Sequence, residues 1–169
     1  MPATAQQRES SKYLPCLLTR LTDARPFTAE DGDFYSSCFS LQQLKQDILV
    51  NLNLLLNART APAETAYLLK RFPQVARSGF HFGIDSITGL SLGSLRPARL
   101  AEIVRRALII FEPRLEPESI EVKPALMQGE DKTAVHLAIS SRLAVKPMTQ
   151  DVFFRLRVDM ETGEASLND

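Results

Sequence analysis

The stretch Arg96–Leu115, RPARLAEIVRRALIIFEPRL, decides how the chain is built. Leu100, Ile103, Val104, Ala107, Leu108 and Phe111 recur in alternating steps of three and one, which places their side chains on one face of an α-helix. Pro97 falls in the first turn, where a missing N–H loses no helical hydrogen bond. Pro113 disfavours the α conformation at Glu112 and ends the helix there. Arg99, Arg105 and Arg106 lie off the apolar face. They could form a local basic patch, although an ordinary solvated face is the simpler reading.

Downstream of this core helix, three runs alternate with period two. Ile120, Val122, Pro124 and Leu126 share one parity against Glu121 and Lys123. Val135, Leu137, Ile139 and Leu143 alternate with Ala134, His136 and Ala138. Val152, Phe154, Leu156 and Val158 alternate with Phe153, Arg155, Arg157 and Asp159. The pattern predicts an antiparallel meander with one face on the helices. Gly129-Glu130-Asp131 and Lys146-Pro147 break the runs, and Glu161-Thr162-Gly163 turns the chain toward a short last strand. Pro124 brings no N–H to a ladder, so the first strand is expected at an edge. An open edge of this kind can receive a strand from a partner.

Upstream, Ser40 and Gln43 have the spacing of a capping box. They open a helix whose Leu41, Leu44, Ile48, Leu52 and Leu55 form one stripe, widened by Leu49 and Leu56, with Asn57 as its stop. Val50 and Leu54 lie off that stripe, as a second contact surface would require. Pro62–Leu69 predicts a short helix, Gln74–Ser78 one or two further turns ending near Gly79, and Phe80–Leu92 an extended loop with a short strand. Residues 1–12 are polar and expected to be disordered or ordered by a partner. Tyr13–Leu21 is a short apolar patch that suits a single helical turn, and residues 22–39 form an aromatic-bearing loop. The fold class is α+β: N-terminal helices and a core helix packed on a small antiparallel sheet of three to four strands. The expected organisation is an N-terminal arm, 1–39, and one domain, 40–169.

The chain of 169 residues is long enough to bury a core without disulfides or metals. Twenty basic and twenty acidic residues cancel, so no overall field recruits nucleic acid or an anionic membrane. Cys16 and Cys38 make no CxxC pair and read as reduced, incidental thiols. The first residues lack the apolar core of a secretory leader, and the longest apolar run, in Ile48–Leu56, is too short to span a bilayer. A cytoplasmic location is expected.

Chemistry-bearing patterns are sparse. His81 and His136 have no second ligand at metal spacing. No nucleophile elbow, P-loop or dinucleotide fingerprint is present, and no cofactor or metal is expected. Two carboxylates suffice for glycoside hydrolysis, which would require Glu112 with Asp85 or Glu116. Glu112 stands beside Arg114, however, and reads more simply as one half of a structural carboxylate–guanidinium clamp.

Three segments, in this order and at these distances, carry a resemblance: Leu52–Arg59 (LNLLLNAR), Phe72–Leu90 (FPQVARSGFHFGIDSITGL) and Phe111–Leu115 (FEPRL). They resemble the TssE family of type VI secretion baseplate subunits, which is similar to the baseplate wedge protein of contractile phage tails and is often labelled "lysozyme-like". Leu17–Leu21 and Val158–Glu164 look like the ends of the same pattern, so the resemblance covers most of residues 14–165. Phe82-Gly83 stands where the family tends to have tyrosine-glycine, and Asp85 lacks the family's accompanying proline.

The resemblance implies a non-enzymatic assembly protein that joins the baseplate wedge and starts sheath polymerisation by accepting strands. Its implied partners are the wedge subunits TssF, TssG and TssK and the sheath subunits TssB and TssC, with no nucleic acid, small-molecule ligand or membrane insertion. It would act in the cytoplasm of a Gram-negative bacterium, at a baseplate docked on the inner membrane. Glu112, Pro113 and Arg114 map onto the family's sheath-assembly core. Leu17, Leu18, Leu21, Asn57, Arg59, Phe82 and Gly83 become possible wedge contacts. The alternatives are a muramidase using Glu112, and a small regulatory binding module of the same fold.

Overall fold

In the computed structural model, Pro97–Phe111 forms the core helix, and Leu100, Ala101, Val104, Ala107 and Leu108 are its buried residues. Ile103 and Phe111 are only half-buried, and Ala101 takes a core place instead. The structure describes residues 13–21, 39–60, 66–85, 97–125, 133–145 and 149–168. The expected disorder of 1–12, and all of the aromatic loop except Phe39, fall outside the described residues. The helices are α1 (Leu17–Leu21), α2 (Leu41–Asn57), α3 (Ala66–Arg71) and α4 (Pro97–Phe111). The strands are β1 (Glu121–Pro124), β2 (Ala134–Arg142), β3 (Asp151–Asp159) and β4 (Ala165–Asn168).

The chain divides into two compact units, Met1–Ile48 and Leu49–Asp169. In the first, the backbones of Tyr13 and Phe39 exchange hydrogen bonds of 2.9 and 2.6 Å. The buried Asp47 carboxylate accepts the Thr19 hydroxyl and the Cys16 N–H, the latter at 3.4 Å, which ties the α1 turn to α2. Ser40 and Gln43 form the expected capping box: Ser40 N–H donates to Gln43 Oε1 at 2.8 Å, and Gln43 N–H to Ser40 Oγ at 3.3 Å. Along α2, Leu44, Ile48, Leu52, Leu55 and Leu56 are buried, Leu41 and Leu49 half-buried, and Val50 and Leu54 exposed.

In the second unit the sheet is an antiparallel meander in the order β1-β2-β3-β4. Val135 faces Val158, Leu137 faces Leu156 and Ile139 faces Phe154, all six buried, so the alternation in the sequence becomes one apolar face. β1 is an edge strand, as Pro124 requires, and α4 packs along β1 and β2. Arg105 Nε donates to the Ile120 carbonyl at 2.9 Å, fixing α4 at the start of β1. The other edge is β4, reached through the turn after Asp159. The N–H groups of Thr162 and Glu161 donate to the Asp159 carboxylate and, with the Arg157 charge, hold its carboxyl below the usual range against a smaller desolvation penalty.

The middle of the chain departs from expectation. The short helix runs from Ala66 to Arg71, two residues beyond the expected Leu69. The following turns are 3₁₀ in character, at Val75–Arg77 and Gly79–His81, so helical structure continues past Gly79 into what was expected to be extended loop. Each turn closes locally, with Arg77 N–H on Gln74 O at 3.1 Å and His81 N–H on Ser78 O at 3.0 Å. The only extended pairing described there is an isolated parallel bridge between Arg59 and Ile84. Pro124, given the buried parity in sequence, is exposed, and Leu126 lies outside the described residues.

Candidate assembly interface

The corner after α4 is built by Glu112-Pro113-Arg114. Glu112 N–H still donates to the Leu108 carbonyl at 3.0 Å, so the helical bonding reaches one residue past Phe111. Pro113 then occupies the first central position of a turn closed by Leu115 N–H on Glu112 O at 3.2 Å. The turn folds Arg114 back onto Glu112. Arg114 Nε reaches Glu112 Oε1 and Nη2 reaches Oε2, both at 2.7 Å, and the Arg114 backbone N–H adds a third bond to Oε1 at 3.2 Å. Glu112 is 4% exposed and Arg114 19%. This is the fork-on-carboxylate clamp expected from the sequence, and it engages both oxygens of Glu112.

The corner is also zipped to the end of β2. Ala144 N–H donates to Arg114 O at 2.7 Å, Glu116 N–H to Arg142 O at 2.8 Å, and Leu115 bridges Leu143. Ser119 Oγ accepts the Arg142 N–H at 2.8 Å and lies 3.1 Å from Ser141 Oγ, and Glu116 pairs with Arg142. In the sequence Glu116 stands out only as a possible second carboxylate beside Glu112, and nothing marks Ser119, Ser141 or Arg142. Only the turn geometry brings them together.

The end of α2 supplies a second clamp. Asn57 Nδ2 donates to Ala165 O at 2.8 Å and to Asn53 O at 2.9 Å, while Asn57 Oδ1 accepts the Ala165 N–H at 2.9 Å. Its amide therefore pairs with the start of β4 as a neighbouring strand would. Arg59 Nη2 donates to Gly163 O at 2.8 Å. On the other side of this segment, Ile84 N–H donates to Ala58 O and Thr60 N–H to Ile84 O. Gly83 is buried with φ +121°, and Phe82 packs edge-on against Phe111 with ring centroids 5.3 Å apart. The motif segments of α2, the 82–85 loop and the α4 corner thus meet in one unit. Leu17, Leu18 and Leu21 belong to the other unit and are exposed on α1.

Asn57→Asp is expected to lower stability by about 1–2 kcal/mol, because it removes the donor to Ala165 O and sets a carboxylate oxygen against that carbonyl. Urea unfolding checks this, and a change below about 0.5 kcal/mol would contradict the strand-mimicking role.

Among the described residues, no group of three or more His, Cys, Asp or Glu could hold a metal ion, and no helix is long and apolar enough to cross a membrane. Asp85 is exposed and accepts the Thr60 hydroxyl at 2.9 Å. His81 is half-buried, and its Nδ1 atom is closed off without a hydrogen-bond partner. In the comparison with protein families, residues 42–148 match the model described as baseplate wedge protein gp25. No curated protein and no solved structure matches the chain.

Proposed function

The chain belongs to the baseplate wedge protein gp25 family, and on that premise we propose that it serves a type VI secretion machine, joining the wedge and starting the contractile sheath by strand addition. Family membership supports a structural role in a phage-tail-type baseplate and interaction with other baseplate components. The finer reading names TssF, TssG and TssK as wedge partners and TssB and TssC as the sheath subunits. Within it, Glu112, Pro113 and Arg114 fix the corner on which the sheath contact is built. Exposed Leu17, Leu18 and Leu21 dock on a wedge neighbour, and Asn57, Arg59, Phe82 and Gly83 shape the surface presented to it.

The observation that carries this reading is a four-stranded sheet whose outer strands, β1 and β4, pair with no further strand among the described residues. Antiparallel pairing turns the peptide groups of alternate residues outward. On β1, Ala125 N–H donates to His136 O, so the Val122 N–H points away from β2. On β4, Ala165 pairs outward with Asn57, so the next outward N–H is that of Leu167. Val122→Pro and Leu167→Pro each remove one outward donor and leave the internal ladder intact, a position at which edge strands tolerate proline. At least one of these variants is expected to stop sheath tubes, seen with a fluorescent sheath subunit, while wedge subunits still co-purify. Normal tubes from both would refute strand addition. Glu112, with both oxygens held by Arg114, gives the muramidase reading no support.

A further inference from the structure

The outer side of α4 forms a groove with the α3–3₁₀ segment. Two adjoining cavities of about 550 and 580 Å³ run along it and share Leu69, Ala76, Glu102, Arg106 and Ile110 in their walls. Its floor is mainly aliphatic: Leu69, Ile103, Ile109 and Ile110 are each only half-buried, with Phe111 and His81 also lining the first cavity, although α4 has a separate, buried core face. Its rim is basic. Lys70, Arg77, Arg99, Arg105 and Arg106 all line it and are exposed, against Glu102 and Asp85 among the described lining residues. Glu102 lies 3.6 Å from Arg99, and Asp85 accepts the Thr60 hydroxyl. Lys70, Arg77 and Arg106 form no ion pair with any described residue. In a chain of zero net charge, this concentration is local.

We infer that this groove is a docking site for an acidic amphipathic helix of another protein chain. A mainly aliphatic floor flanked by cations, three of them without an ion pair among the described residues, is complementary to a helix with an apolar stripe and carboxylates on both sides. The wall from Arg99 to Ile110 spans about 17 Å, or three helical turns, which matches a recognition helix rather than a single side chain. Nucleic acid fits less well, since single strands bind by stacking bases on aromatic platforms, whereas this floor is mainly branched aliphatic and its phenyl ring, Phe111, is already packed by Phe82. The docking site is lined by residues of α3, α4 and the segment between them. It is therefore separate from the Val122 and Leu167 edges and stands whether or not strand addition does.

The test uses the full chain and a synthetic fluorescent peptide of about four turns, with leucines at i, i+3, i+4 and i+7 and glutamates on both flanks. Anisotropy is expected to show saturable binding that weakens with salt and falls at least tenfold in the Arg77→Glu/Arg106→Glu double variant. Ile110→Ser is expected to lose at least fivefold. The charge reversals are exposed, so an unchanged unfolding midpoint confirms that they act on binding alone. Equal binding of a lysine-flanked peptide, unchanged affinity in the double variant, or no saturable binding would overturn the inference. So would a single-stranded oligonucleotide binding through Arg77 and Arg106 where the peptide does not.

Discussion

Gly83→Ala is expected to destabilise the protein by about 3 kcal/mol or more, among the largest losses available to a single methyl group. A Cβ at this position would lie 2.5 Å from the Ala58 carbonyl oxygen and 2.7 Å from its carbon, and φ is +121°, a conformation L residues rarely adopt. The obstacle is backbone and cannot rotate away. Its oxygen also accepts the Ile84 N–H at 3.1 Å, so relieving the clash breaks the bridge joining the end of α2 to the loop that carries Phe82. Gly79→Ala is the control. Nothing lies within 4 Å of its added Cβ, so its effect should stay within about 0.5 kcal/mol. Denaturant midpoints at unchanged slope measure both. Equal, small effects would show that the close approach at Ala58 does not matter.

Arg114→Ala should cost about 2–4 kcal/mol. Removing one member of a buried pair leaves the other charge without compensation, and Glu112 is 4% exposed. The figure sits below the full range for buried pairs because Arg114 itself is 19% exposed and because its backbone N–H, retained in the variant, still bonds Glu112 Oε1. Arg114→Lys keeps the charge without the planar fork and should fall between the wild type and alanine. A loss of less than about 1 kcal/mol for Arg114→Ala would mean the corner is held by its backbone bonds to Ala144 and Glu116 rather than by the clamp.

These two positions differ in how far sequence could reach them. The Glu112–Arg114 pair is local: a proline between two opposite charges at a helix end forecasts a turn that brings them together. The same locality made α4, the Ser40–Gln43 cap and the four strands legible, since each rests on a period or spacing within one segment. Gly83 is one of several glycines between 79 and 93, and what singles it out is Ala58, far away in the chain. Asn57 reads as a helix stop, which it is, yet its amide's partner lies 108 residues on. Asp47 did leave a signal, as a carboxylate between Leu44 and Ile48 on the buried stripe, where only a hydrogen-bonded partner makes it tolerable. The groove left almost none, because Ile109 and Ile110 read as extra apolar width on α4. The cations of α3 and the 3₁₀ turns come beside them only through tertiary packing.

The central claim, a structural subunit that joins a wedge and starts a sheath, is tested most directly by affinity purification of the tagged full chain from its native cells, with quantitative mass spectrometry of what accompanies it. The account predicts strong enrichment of baseplate wedge subunits together with sheath subunits, and loss of the sheath subunits in whichever of Val122→Pro and Leu167→Pro stops the tubes. Recovery of the chain alone, monomeric and without wedge or sheath proteins, would contradict it.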